Sequence, residues 1–148
     1  MSLRTVTLVV GSCYAQVALV THRMLELLRS LGCDDTRAQL LVIGVGELVN
    51  NIIEHAFEER SGHDILVEIQ ADDVALHLRV TDHGRPVPDG LFEGVRAPRV
   101  DPDDVPGLPE GGMGLYIARQ LFHQLDWRNQ DGANVLSATA LLSSPLPV

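Results

Sequence analysis

The chain has 148 residues, of which 45% are apolar, enough to bury the core of one domain without disulfides or a structural metal. Eleven basic residues against twenty acidic give a formal net charge of −9, which repels phosphate backbones, disfavours direct nucleic-acid binding and favours a basic protein partner. All the basic residues are Arg and none is Lys, which excludes a GxxxxGK[ST] phosphate loop. No run of about 18 uninterrupted apolar residues is present to cross a membrane, and Cys13 and Cys33 form neither a CxxC pair nor a metal-spaced cluster. The N-terminus lacks a basic segment followed by a long apolar run, so a cytoplasmic location is expected.

Residues 4–10 alternate Val6, Leu8 and Val10 against Thr5, Thr7 and Val9, predicting a first strand, whose terminal place suggests a sheet edge. From Ser12, apolar residues Val17, Val20, Met24, Leu27, Leu28 and Leu31 recur at three and four, so a helix runs from a Ser12 cap to a stop at Gly32. Asp34 or Asp35 caps a second helix through Leu41, Val45, Leu48, Val49, Ile52, Ile53 and Ala56, broken by Ser61-Gly62. Alternation over 65–70 and 74–81 about Asp72-Asp73 predicts a hairpin. Between His83 and Gly112 periodicity vanishes and six of the eight prolines occur, the composition of a long functional loop or lid at about 83–111. Leu115, Ala118, Leu121, Phe122 and Leu125 predict a third helix opened by Gly111-Gly112-Met113-Gly114; strands at 125–128 and 134–142 close the chain about Gln130-Asp131-Gly132. The order βααββ, loop, αββ favours an α+β two-layer sandwich, with three helices on a mixed, mainly antiparallel sheet, over repeated βαβ units.

Three clusters carry chemistry. Glu47, Asn51 and His55 stand four residues apart on the second helix and so form one stripe. Asn51 offers a neutral oxygen suited to Mg²⁺ when phosphates supply the negative charge, and Glu47 is a competent general base. Asp82-His83-Gly84 follows a strand, where a carboxylate can accept from an exocyclic amine and a glycine admits a flat ring. The glycines at 111, 112 and 114 open a helix whose free amides and dipole make an anion site.

Together these clusters resemble the ATP-binding domains of the GHKL superfamily. Glu47-Leu48-Val49-Asn50-Asn51-Ile52-Ile53-Glu54-His55-Ala56 is similar to their N-box, in the ExxxNxxxH form of the bacterial anti-sigma-factor serine kinases; Asp82-His83-Gly84 is similar to the G1 box and Gly111–Ile117 to the G2 box. The motifs come in the family's order over most of residues 35–125. Pro86 replaces the second G1 glycine, a loss common in the anti-sigma branch, and the late Gly-Thr element is represented by Gly132-Ala133-Asn134.

The resemblance implies a single domain of the Bergerat type over residues 1–148. It implies ATP and Mg²⁺ as ligands, Asn51 on the metal, Glu47 as base, Asp82 on the adenine amine with Gly84 beneath the ring, and Gly112, Met113, Gly114 and Leu115 around the phosphates. His55 takes a supporting place, and Arg96 or Arg99 of the lid meets the terminal phosphate. The function implied is an anti-sigma factor with serine/threonine-protein kinase activity. Its partners would be an anti-anti-sigma antagonist and a sigma factor, with a homodimer joined through the first strand. A catalytically weak nucleotide-gated binding module is the alternative. A histidine kinase is disfavoured, because His22 lies within the first predicted helix of the domain.

Overall fold

The computed structural model describes residues 3–58, 60–88 and 113–143. Its elements are β1 (Arg4–Gly11), α1 (Tyr14–Ser30), α2 (Asp35–Phe57), β2 (Asp64–Ala71), β3 (Ala75–Asp82), α3 (Met113–Leu121), β4 (Phe122–Gln130) and β5 (Ala133–Leu141). The five strands form one sheet in the order β1-β2-β3-β5-β4. The sheet, expected to be mixed and mainly antiparallel, is antiparallel at every pairing. β1 is an edge strand, as its terminal place suggests.

One face of the sheet carries the core. Ile65, Val67 and Ile69 on β2, Leu76, Leu78 and Val80 on β3, and Leu136, Ala138 and Ala140 on β5 are buried at every second position, as a pleated strand with one covered face requires. Leu41, Val45, Leu48, Val49, Ile52 and Ile53 of α2 are buried with them in one cluster. α2 is long and apolar enough by composition to cross a membrane, but these side chains are spent inside the protein, each contributing roughly 1.5–3 kcal/mol by leaving water.

Local signals explain most boundaries. Asp34 caps α2 by accepting from the amide of Arg37, satisfying one of the free donors of the first turn. Gly32, at φ +75°, ends α1 with the amides of Gly32 and Cys33 donating to Arg29 and Leu28 oxygens, a Schellman closure that favours glycine. Asp131 and Gly132, both at positive φ, make the tight turn from β4 to β5.

Three expectations are corrected. Ser12 does not cap α1: it is fully buried, donating its hydroxyl to Arg60 O and accepting from the amide of His63, so the chain between α2 and β2 claims the hydroxyl and Cys13 takes the cap position without a side-chain bond. α2 ends at Phe57, ahead of Ser61-Gly62, with Glu58 in the left-handed region at φ 51°. The third helix stops at Leu121 instead of running on to Leu125, and Phe122 opens a strand paired with Ala140. Leu121 and Phe122 are both buried, one by the helix and the other by the strand, so consecutive burial imitated a helical stripe. Gln124 at φ 56° marks the irregularity after which pairing resumes at Asp126 opposite Ser137.

Candidate functional site

The described walls of the site come from α2, the end of β3, the start of β5 and the first turn of α3. α2 and α3 approach through small residues: a Cβ on Gly44 would lie 3.2 Å from Ala118 Cα. That contact sets the start of α3 beside Glu47. Gly114 is buried, and a Cβ there would overlap the Cγ of Glu47, so a glycine at this position admits the Glu47 side chain against the first turn of α3. Leu115 is half-buried in the same turn. No acidic residue stands in that turn, so nothing within it competes with an anion for the helix end.

Asn51, one turn past Glu47, donates Nδ2 to the Glu47 backbone oxygen at 2.8 Å. Its Oδ1, the side-chain atom able to hold a cation, has no protein hydrogen bond among the described residues. No group of three or more His, Cys, Asp or Glu side chains gathers there to form a metal cage among the described residues. A hard cation held at Asn51 would have to draw its remaining ligands from a bound molecule and water, the usual habit of Mg²⁺.

His55 belongs to the wall. Each four-residue step turns an α-helix by about 40° beyond a full circle, so His55 is displaced by about 80° from Glu47 and about 12 Å along the axis. Its ring stands edge-on to Trp127 of β4 at 6.4 Å between centroids. Its backbone oxygen accepts from Arg85 Nε at 3.1 Å and Nη2 at 2.7 Å, and Arg85 Nη1 reaches Glu58 at 2.6 Å. Arg85 thus ties the loop after β3 to the C-terminal end of α2.

Asp82 is fully buried at the end of β3. Oδ1 accepts from the amide of Gly84 at 2.8 Å and from Asn134 Nδ2 at 2.9 Å, whereas Oδ2 is buried with no hydrogen-bond partner among the described residues. Burial pushes the carboxyl above the usual aspartate range, and the bonds from Asn134 and Gly84 and the nearby His83 pull it back. A buried acceptor left unsatisfied is costly, and an amine donor supplied by a ligand would satisfy it.

Gly84 is required by the protein itself. A Cβ there would fall 2.5 Å from Ala56 O and 2.9 Å from Ala56 Cβ, because the Arg85 amide bonds Ala56 O at 2.7 Å and pulls the loop onto α2. The neighbour that a side chain at this position would meet is the end of α2.

Asn134 is the residue that motif reading undervalued. It sits directly across from Asp82 in the β3–β5 register, also fully buried. The signal available was its place in the Gly132-Ala133-Asn134 element; its partners at the end of β3 and in the loop after it, 47 to 52 positions away in the chain, left no local trace. Residues 89–112, with Gly111, Gly112, Arg96, Arg99 and most of the expected lid, lie outside the described residues, and so does the side chain of Met113, whose backbone opens α3. Among the described residues, one cavity of about 350 Å³ lies on the sheet face, lined by Glu68, His77, Arg79 and Ser137 among others; one of about 480 Å³ lies between β1 and α1; and one of about 350 Å³ lies at the end of α2, lined by Phe57, His63, Gly84 and Arg85 among others, so that it meets the candidate site at Gly84. None of the three includes Asn51 or Asp82.

An antiparallel sheet under three helices, with a buried aspartate at a strand end and a glycine-opened helix beside a Glu/Asn stripe, defines a GHKL-type ATP-binding domain. The family model described as "Histidine kinase-like ATPase domain" matches residues 12–140, and the chain belongs to that family. It is similar to the serine-protein kinase RsbW of Bacillus cereus strain Q1, 28% identical over 124 residues that cover 81% of this chain and 74% of the relative. RsbW of Halalkalibacterium halodurans is 26% identical over 100 residues, 68% of this chain and 60% of the relative. Among solved structures, the RsbU and RsbW domains of Rv1364c from Mycobacterium tuberculosis superpose with a TM-score of 0.64 at 19% identity, over 97% of this chain and 34% of that one. The chain therefore spans about a third of that protein and shares its fold.

Proposed function

We propose that the protein is an anti-sigma factor with serine/threonine-protein kinase activity. It binds Mg-ATP, phosphorylates a Ser or Thr of an anti-anti-sigma antagonist, and in another state sequesters a sigma factor. The observation that carries this reading is the Glu47 side chain against Gly114 at the start of α3, with the Asn51 carbonyl oxygen one turn away unclaimed among the described residues. The RsbW relatives, named serine-protein kinases, support the same class.

In this reading Asp82 Oδ2 accepts from the adenine amine and Asn51 Oδ1 holds Mg²⁺, which neutralises phosphate charge. The amides at Gly114 and Leu115 face the phosphates, joined by those at Gly112 and Met113. Glu47 takes the proton of the acceptor hydroxyl as its oxygen bonds the γ-phosphorus and the bond to ADP breaks. Phosphoryl transfer needs mainly such positioning and charge neutralisation. The protein would work in the cytoplasm as a homodimer.

The test is to incubate the pure protein with Mg-ATP and the products of neighbouring genes, then to locate phosphate by mass spectrometry. Phosphoserine or phosphothreonine on a partner, absent with Glu47→Gln, supports the kinase. Nucleotide binding that changes partner affinity without phosphate on any protein reduces the function to a nucleotide-gated binding module.

A further inference from the structure

Asn134 uses its whole hydrogen-bonding capacity. Nδ2 donates to Asp82 Oδ1 at 2.9 Å and to Arg85 O at 2.8 Å; Oδ1 accepts from the Val87 amide at 3.0 Å and from Asn129 Nδ2 at 3.2 Å. Two donors and two lone pairs are what an Asn side chain has. Its orientation is fixed as well. Turning the amide over would set its oxygen against two acceptors and its NH₂ against two donors.

The consequence falls on Asp82. With Gly84 and Asn134 both bonded to Oδ1, the carboxylate cannot turn to share its oxygens, and Oδ2 alone remains to meet a ligand. An oxygen so held accepts from an amine and repels a carbonyl oxygen. The same Asn holds Arg85 and Val87, in the loop where Pro86 stands in place of a second glycine, so a side chain across the sheet fixes a turn that backbone freedom alone does not.

Resting on the nucleotide-site reading above, we infer that Asn134 is a positioning residue that sets the base preference of the site: by holding Oδ1 it presents Oδ2 as a lone acceptor, selecting a 6-amino purine over a 6-oxo purine. Asn134 need not touch the nucleotide to do so. Its loss therefore acts on discrimination between bases and leaves the phosphate contacts of α3 in place.

The experiment is calorimetric titration of the protein with Mg-ADP and Mg-IDP, which differ at the purine 6-position. Wild type, Asn134→Thr and Asn134→Val are compared, with thermal unfolding of each. Thr and Val share a shape suited to a strand, and only Thr keeps a hydroxyl to donate to Asp82. The expected preference for ADP over IDP is about tenfold or more in wild type, the worth of a hydrogen bond to a charged group. It persists in Asn134→Thr and falls to about threefold or less in Asn134→Val, mainly through weaker ADP binding. Should Asn134→Val fail to fold, Asn134→Ser against Asn134→Ala repeats the contrast. An unchanged ratio in the variant without a donor, or an equal loss in both members of a pair, overturns the inference while leaving the nucleotide site intact. Wild type that binds neither nucleotide overturns the site reading, and this inference with it.

Discussion

Asp82→Asn separates recognition from folding. Asp82 is fully buried, and its Oδ1 is bound by the Gly84 amide and Asn134 Nδ2, both donors. An Asn at 82 must direct its own oxygen to those donors, which leaves its NH₂ where Oδ2 now stands. A ligand amine then meets a donor. A hydrogen bond to a charged acceptor contributes about 1.5–3 kcal/mol, so the affinity for Mg-ATP should drop by about 10- to 150-fold. Folding responds oppositely. The folded Asp82 carboxyl titrates above its ordinary value because of burial, so its contribution to stability is full below the unfolded pKa and is lost as pH rises through the folded one. At neutral pH the ionised group is a liability, and Asp82→Asn should leave the melting temperature unchanged or raised. Calorimetry and thermal unfolding on the same preparation read both quantities. Unchanged ATP affinity, or a variant that loses stability as it loses affinity, would refute the reasoning.

The same titration sets the pH dependence: because Asp82 protonates above the ordinary aspartate range, nucleotide affinity should begin to fall at a higher pH on acidification than an exposed aspartate would dictate, and Asp82→Asn should be flat through that window. Glu47→Gln should keep Mg-ATP affinity within about twofold and lower transfer by about 100-fold or more, as loss of a general base does; Asn51→Ala should instead abolish the Mg²⁺ dependence of binding, and equal loss of affinity in both variants would contradict the division of roles. Gly84→Ala places a methyl 2.5 Å from Ala56 O and should destabilise by about 1–3 kcal/mol, seen as a lower urea midpoint. β1 pairs only with β2 among the described residues, and its Val9 is exposed, so sedimentation should show a dimer at about 10–100 µM protein; a strict monomer would contradict pairing through this edge.

The sequence was most readable where one physical rule acts locally. Apolar spacing located α1 and α2 and alternation located β1 to β3; Gly32 and Asp34 marked the end of α1 and the start of α2, and Asp131-Gly132 the turn from β4 to β5, because capping and positive φ are decided within a few residues. Fixed spacing put Glu47 and Asn51 on one stripe of α2, and Gly114 packs against Glu47. Legibility failed where partners are distant. Ser12 looks like a cap until the chain near His63 crosses it. Leu121 and Phe122 look like one helix because two elements bury adjacent residues. Asn134 looks like a faded Gly-Thr element until β5 pairs with β3 and brings it to Asp82. Gly84 packs on the end of α2, a constraint that its own neighbours in the chain do not reveal.

The central claim is that nucleotide lies between the end of β3 and the start of α3. Hydrogen exchange with and without Mg-ATP tests it most directly, because free amides of a helix start and a strand-end loop become protected when a phosphate and a base cover them. The account predicts slowed exchange in residues 82–88, in 113–118 and along the α2 face of Glu47 and Asn51, with β1 and β2 unchanged. Exchange there that ignores nucleotide, with protection instead on the open sheet face around His77, Arg79 and Ser137, would contradict it.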